Sequence, residues 1–274
     1  SRDATFIEIF CDLAESMNDE RYLEIAFNLF HEFREIRNCD RKKLLPDFFA
    51  NWFLRLVLRL KNNYTLMKNQ TNALHSYLRL YQISRNDEVL MELNDMYSQV
   101  IKQFWISEGN FKNTIESTSN ESSLKAAFAL IEFICDYYVE TSDASVLNLG
   151  FDIAKSWESK IGKTGLFPMH SGSDVSFFDS QTDITISIWR LASLTNSETL
   201  TKLGDKAFQG LYKYHAKQSY PLHVDIESGA IIDDTVRTKF VFLFIKALIA
   251  YEYRQTQLSD LNYNPQVRRL LRDR

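Results

Sequence analysis

The chain has 274 residues, 45% of them hydrophobic, which is enough to bury a large core. A net charge of −4 with mixed signs lacks the basic excess of a surface that tracks phosphates, so nucleic acid is not an expected partner. Only 8 Gly and 4 Pro are present, too few for an all-β domain of this length, and no apolar run is long enough to cross a membrane.

The predicted elements are helices joined by short polar turns. Residues 6–14 form an apolar helix, a turn follows at Met17-Asn18-Asp19-Glu20, and residues 22–30 form a second helix with Leu23, Ala26, Phe27 and Phe30 on one stripe. Residues 48–60 with 65–68 read as a degenerate copy. The stretch 73–81 turns at Ser84-Arg85-Asn86-Asp87-Glu88 and continues over 89–105. Residues 126–138 turn at Thr141-Ser142-Asp143 and continue over 146–157. Residues 183–192 turn at Leu194-Thr195-Asn196-Ser197-Glu198 and continue over 199–215, and 235–254 is one more helix. Each turn supplies a cap for the following helix: Asn18 or Asp19, Asn86 or Asp87, Ser142 or Asp143, Asn196 or Ser197. Glu20, Glu88 and Glu198 add a favourable charge in first turns.

A lone hairpin cannot bury such faces, whereas stacked neighbours can. An open superhelix and a closed ring are both solutions. The ring is favoured because inner candidate helices are apolar nearly all round, as at Ile184, Ile186, Ile188, Trp189 and Leu191. The connections 109–121, 162–179 and 219–234 are also long and hold most of the Gly and Pro. The expectation is an all-α single domain over 1–274, built of repeated antiparallel helical hairpins forming an α/α toroid, with those loops on one face. Loops on a rigid scaffold are where binding groups concentrate.

Cys11, Cys39 and Cys135 are odd in number and have no CxxC spacing. They read as reduced thiols, with Cys11 and Cys135 packed among apolar residues, which suggests a cytoplasmic chain. The sequons at Asn63, Asn69 and Asn120 matter only in a secreted chain. The arginines at 268, 269, 272 and 274 read as a solvated tail.

The phrases 77–90, 129–147 and 188–208 resemble the hairpin repeats of α/α-toroid carbohydrate enzymes, the N-acylglucosamine epimerase-like and six- or seven-hairpin glycosidase groups. Thr164-Gly165-Leu166-Phe167-Pro168, then Phe178-Asp179-Ser180 opening a helix, is similar to part of the seven-hairpin α-mannosidases, as is the segment 234–244. The resemblance implies a carbohydrate-active protein of glycoside hydrolase type, with Asp179 as the acid that opens an inner helix and faces the cavity. That family's calcium-binding threonine phrase has no match here, so no metal is carried over.

Candidate residues follow from the loops. Asp179 and Asp183, four apart, share a helix face, and paired carboxylates are the minimum for glycoside hydrolysis. Asp179 is equally placed to cap its helix. Asp233 and Asp234 either cap the helix after them or face Asp179 across a cavity, with Glu227 upstream. In the second case like charges would raise one pKa and make a proton donor. His170 and His223 are loop histidines suited to acid–base work or to sugar contact. Phe177, Phe178 and Trp189 are candidate stacking surfaces beside Asp179, with Trp189 equally readable as core. No Cys/His ligand spacing, Walker loop or dinucleotide fingerprint is present, so neither a metal nor a cofactor is expected. The expected ligand is a carbohydrate or small molecule. The alternative is a non-catalytic helical-repeat scaffold that binds protein.

Overall fold

A computed structural model describes residues 4–40, 44–45, 66–115, 117, 121–217 and 219–256. The degenerate copy at 48–60, the sequons at Asn63 and Asn120, and the C-terminal arginines lie outside the described residues. Within them the helices are α1 (Thr5–Met17), α2 (Glu20–Cys39), α3 (Met67–Ser84), α4 (Asp87–Phe104), α5 (Leu124–Thr141), α6 (Ser145–Glu158), α7 (Phe178–Thr195), α8 (Glu198–His215) and α9 (Thr238–Thr256). Five short strands sit in the connections: β1 (Trp105–Ser107), β2 (Asn110–Phe111), β3 (Val175–Phe177), β4 (His223–Asp225) and β5 (Ile231–Asp233).

Four hairpins, α1–α2, α3–α4, α5–α6 and α7–α8, turn by one device. The residue after the first helix adopts the left-handed region: Asn18 (φ 50), Arg85 (φ 52), Ser142 (φ 58) and Asn196 (φ 51). Among the described residues these are the only non-glycine residues with positive φ. The next residue caps the new helix through its side chain. Asp19 accepts from the Arg21 N–H, Asn86 from that of Glu88, Asp143 from that of Ser145, and Ser197 from that of Leu200. A left-handed stop followed by a cap reverses the chain in two residues in three hairpins, and in three residues between α5 and α6, where Ala144 follows Asp143; each cap stabilises by about 1 kcal/mol.

The chain packs as two compact units. The first comprises residues 1–107, 111–120 and 139–142, in which α1 packs on α2 and α3, and α3 on α4. Phe30 meets Tyr77 edge to face there at 5.0 Å, and both rings are buried. Buried Arg37 on α2 is held by Glu92 at 2.7 Å and Asp95 at 2.8 Å on α4.

The second unit comprises residues 108–110, 121–138 and 143–274. Here α7 packs against α6, α8 and α9. It is buried on nearly every side: Ile184, Thr185, Ile186, Ser187, Ile188 and Trp189 are all buried. Alternating β-branched residues would suit a strand, and burial overrides that propensity. The hydroxyls bond back into the helix, Thr185 to the Gln181 carbonyl and Ser187 to that of Asp183, both at 2.8 Å. Trp189, Phe208, Phe244 and Tyr251 form the aromatic centre, with Phe208 stacked on Tyr251 at 4.6 Å.

Candidate functional site

Two of the long connections, 162–179 and 219–234, join as one antiparallel sheet of order β3-β4-β5. Backbone geometry draws the first loop in. Gly165 has φ +90, and a Cβ there would lie 2.6 Å from the Lys206 carbonyl oxygen, so only glycine allows the loop this close to α8. Ile226 in the second loop receives the Thr164 N–H at 3.1 Å and its hydroxyl at 2.8 Å. The β4–β5 turn is held by Asp225, whose carboxylate accepts from the N–H groups of Glu227 and Ser228 and from the Ser228 hydroxyl. The two Ser228 bonds and then that from Glu227 hold its pKa below 3.8 against slight desolvation.

The register sets Phe177 opposite His223 and His223 opposite Asp233, which puts the three side chains in one row on one face. The Phe177 and His223 rings lie 5.4 Å apart at 31°, and His223 Nδ1 is 3.6 Å from Asp233 Oδ2. A bulge between His223 and Val224 adjusts the ladder at this point. Asp233 also accepts the Thr235 N–H at 2.9 Å. Its pKa is lowered from 3.8 by the Thr235 hydroxyl and N–H, with a smaller contribution from His223. The row is chemically a half-buried imidazole with an aromatic ring on one side and an ionised carboxylate on the other.

Asp179 opens α7 two residues after Phe177. Its carboxylate is largely covered, and Lys239 of α9 meets it at 2.6 Å. One turn on, exposed Asp183 pairs with the mostly covered Lys246 of α9 at 3.0 Å. Both carboxylates therefore face α9, as their four-residue spacing requires. Lys239 and Lys246 were not anticipated, because nothing in α9 itself indicates which of its faces meets α7.

The other expected residues scatter. Phe178 is buried and packs edge to face on Tyr214 at 5.7 Å, so of the adjacent pair Phe177 is the ring left partly open. Trp189 is 1% exposed, and its indole N–H donates to Asp205 at 3.0 Å, a core position. Asp234 is exposed, and exposed Glu227 pairs with Lys163 at 3.1 Å. His170 sits on the first loop with Nδ1 3.6 Å from Glu121 Oε2, and its residue bridges to Ser123. The raised proton-donor carboxylate expected from repulsion does not arise at Asp233, which is shifted the other way. Among the described residues no group of three His, Cys, Asp or Glu could hold a metal ion, and no helix is long and apolar enough to cross a membrane.

No protein-family model matches the sequence. No curated protein matches it either. Solved structures do. A D-mannose isomerase superposes with a TM-score of 0.74 at 14% identity, over 97% of this chain and 73% of that one. A cellobiose 2-epimerase from Bacillus thermoamylovorans B4167 gives 0.69 at 16% identity, again over 97% and 73%. A possible member of the GH105 family from Salmonella enterica gives 0.67 at 10% identity, over 92% and 70%. These are six-hairpin glycosidase-like proteins, and this chain has their all-α fold of repeated helical hairpins, the α/α toroid.

Proposed function

We propose that the chain is a carbohydrate-active enzyme that moves a proton on a sugar, with His223 as the acid–base group and Asp233 orienting it. The Phe177–His223–Asp233 row is the observation that carries this reading. Imidazole exchanges protons near neutral pH, and a carboxylate 3.6 Å from Nδ1 favours the tautomer that carries its proton there. Phe177 offers the apolar face on which sugar C–H bonds stack. Asp179, held by Lys239 at 2.6 Å, serves as a fixed acceptor for sugar hydroxyls. The α/α-toroid fold, shared with the D-mannose isomerase and the cellobiose 2-epimerase, agrees with aldose chemistry of this kind.

Glycoside hydrolysis is the second reading, with Asp179 and Asp233 as the two carboxylates and Asp183, Asp234 or Glu227 in support. The fold's likeness to the possible GH105 member favours it. It needs one carboxyl kept protonated, and Lys239 beside Asp179 and the lowered pKa of Asp233 both work against that. A neutral sugar as ligand fits these paired charges, and the net charge of −4 argues against nucleic acid. Buried Cys11 and Cys135, with exposed Cys39, suit a reducing compartment such as the cytoplasm.

The test is an assay of D-mannose, cellobiose and aryl glycosides with wild type, His223→Gln and Asp179→Ala. Turnover of a free sugar that falls about 100-fold or more in His223→Gln is expected. Aryl glycoside cleavage that survives His223→Gln and dies in Asp179→Ala would favour hydrolysis. No turnover and no sugar binding by wild type would sink both and leave the protein-binding scaffold.

A further inference from the structure

Two helices carry the same clamp in the same register. Gln181 near the start of α7 turns its side-chain amide on the main chain of Phe167. It accepts the Phe167 N–H at 2.9 Å and donates to the Phe167 carbonyl at 3.0 Å. Gln70 near the start of α3 does the same to Leu45, at 3.0 and 2.7 Å. Both glutamines are buried. Each clamped residue directly precedes a proline, Pro168 or Pro46, and Gln70 stands to Arg85 as Gln181 stands to Asn196. An amide bonded to both main-chain groups of one residue acts like a strand partner and fixes that residue's position and orientation.

The two clamped loops differ in what they carry. Three residues beyond Phe167 is His170, and between them the Met169 N–H donates to the Val175 carbonyl at the start of β3. On the other side of the clamp, Gln181 stands two residues from Asp179. One side chain thus ties the loop of His170 to the helix turn of Asp179 and, through β3, to the row that holds His223.

We infer that Gln181 is a positioning residue that fixes the 167–170 loop to the α7 turn carrying Asp179, a role that rests on the function proposed above. Gln70 is its architectural counterpart in the first unit and serves as a matched control. Gln181→Met and Gln70→Met keep side-chain length and remove both bonds. Three quantities are read: amide exchange at Phe167 and Leu45, the His170 ring resonance, and KM and kcat with D-mannose.

Each variant is expected to speed exchange at its own clamped residue. Only Gln181→Met is expected to move the His170 resonance, and to raise KM about tenfold with kcat little changed. An unmoved His170 resonance alongside faster Phe167 exchange would overturn the inference. So would an equal response to Gln70→Met, which marks general loosening. If Gln181→Met does not fold, Gln181→Glu removes the donor alone and is read the same way. Failure of both to fold where Gln70→Met folds would assign Gln181 to architecture. A wild type that turns over no sugar counts against the proposed function, while the resonance still judges the clamp.

Discussion

Asp136 on α5 and Arg190 on α7 form an ion pair at 2.7 Å that repeats, position for position, the pair between Asp12 on α1 and Arg79 on α3 at 2.9 Å. All four residues lie six positions ahead of the left-handed residue that ends their helix: Asn18, Arg85, Ser142 and Asn196. The first helices of successive hairpins thus alternate Asp, Arg, Asp, Arg at the same position in sequence. Each acid meets the base of the hairpin that follows it within its own compact unit.

The Asp136–Arg190 pair gives the sharper energetic test because Asp136 is 3% exposed. Burial works against the Arg190 charge, and Asp136, with smaller contributions from Cys135 and Glu132, outweighs it, so the guanidinium is held above its usual range. Asp136→Leu strands that charge and is expected to cost about 3 kcal/mol or more. Asp136→Leu with Arg190→Met is expected to recover most of the loss. Urea unfolding of the single and double variants measures this, and a double variant weaker than both singles would refute it.

Gly204 on α8 faces the indole of Trp189. A Cβ at this position would lie 2.4 Å from Trp189 Cδ1 and 2.5 Å from Nε1, and the ring is held by Asp205 and packed on Phe208. Gly204→Ala is expected to destabilise by about 2 kcal/mol despite the better helix propensity of alanine, because a rigid ring cannot yield as a flexible chain end would. A thermal melt showing no decrease would contradict the packing described.

The β4–β5 hairpin has a built-in acid limit. Asp225 and Asp233 both have folded pKa values below the ordinary 3.8. Depressed values stabilise the folded form above the unfolded pKa and are lost as pH falls through the folded one, so the hairpin weakens below pH 3.8. Pepsin cleavage within 226–230 is expected to appear in that range while α7 and α8 persist. Asp225→Asn should flatten this dependence, and cleavage that is unchanged across the range would exclude the mechanism.

Much of the architecture was legible in local chemistry. Short polar turns and apolar spacing predict the four hairpins, and Asp19, Asn86, Asp143 and Ser197 emerge as the capping residues from the paired candidates. Each alternative, Asn18, Ser142 and Asn196, is the left-handed stop, save Asp87, which begins its helix. The loops proved harder. Strands of three residues carry no readable period, so the pairing of Phe177, His223 and Asp233 depends on a register that only tertiary structure sets. Phe177 and Phe178 are neighbours of equal hydrophobicity, and the step from β3 into α7 decides which is buried. The partners of Asp179 and Asp183 come from α9, some 60 residues on.

The sheet that carries the row also ends abruptly. β5 is its outer strand, and Ile231 and Ile232 are 47% and 56% exposed along it. An edge strand bearing exposed branched apolar side chains is a template for another extended chain. The hairpin that holds His223 and Asp233 is therefore also where concentrated protein should begin to self-associate. A lysine in place of Ile232 would blunt that edge while leaving the opposite pairing with β4 in place.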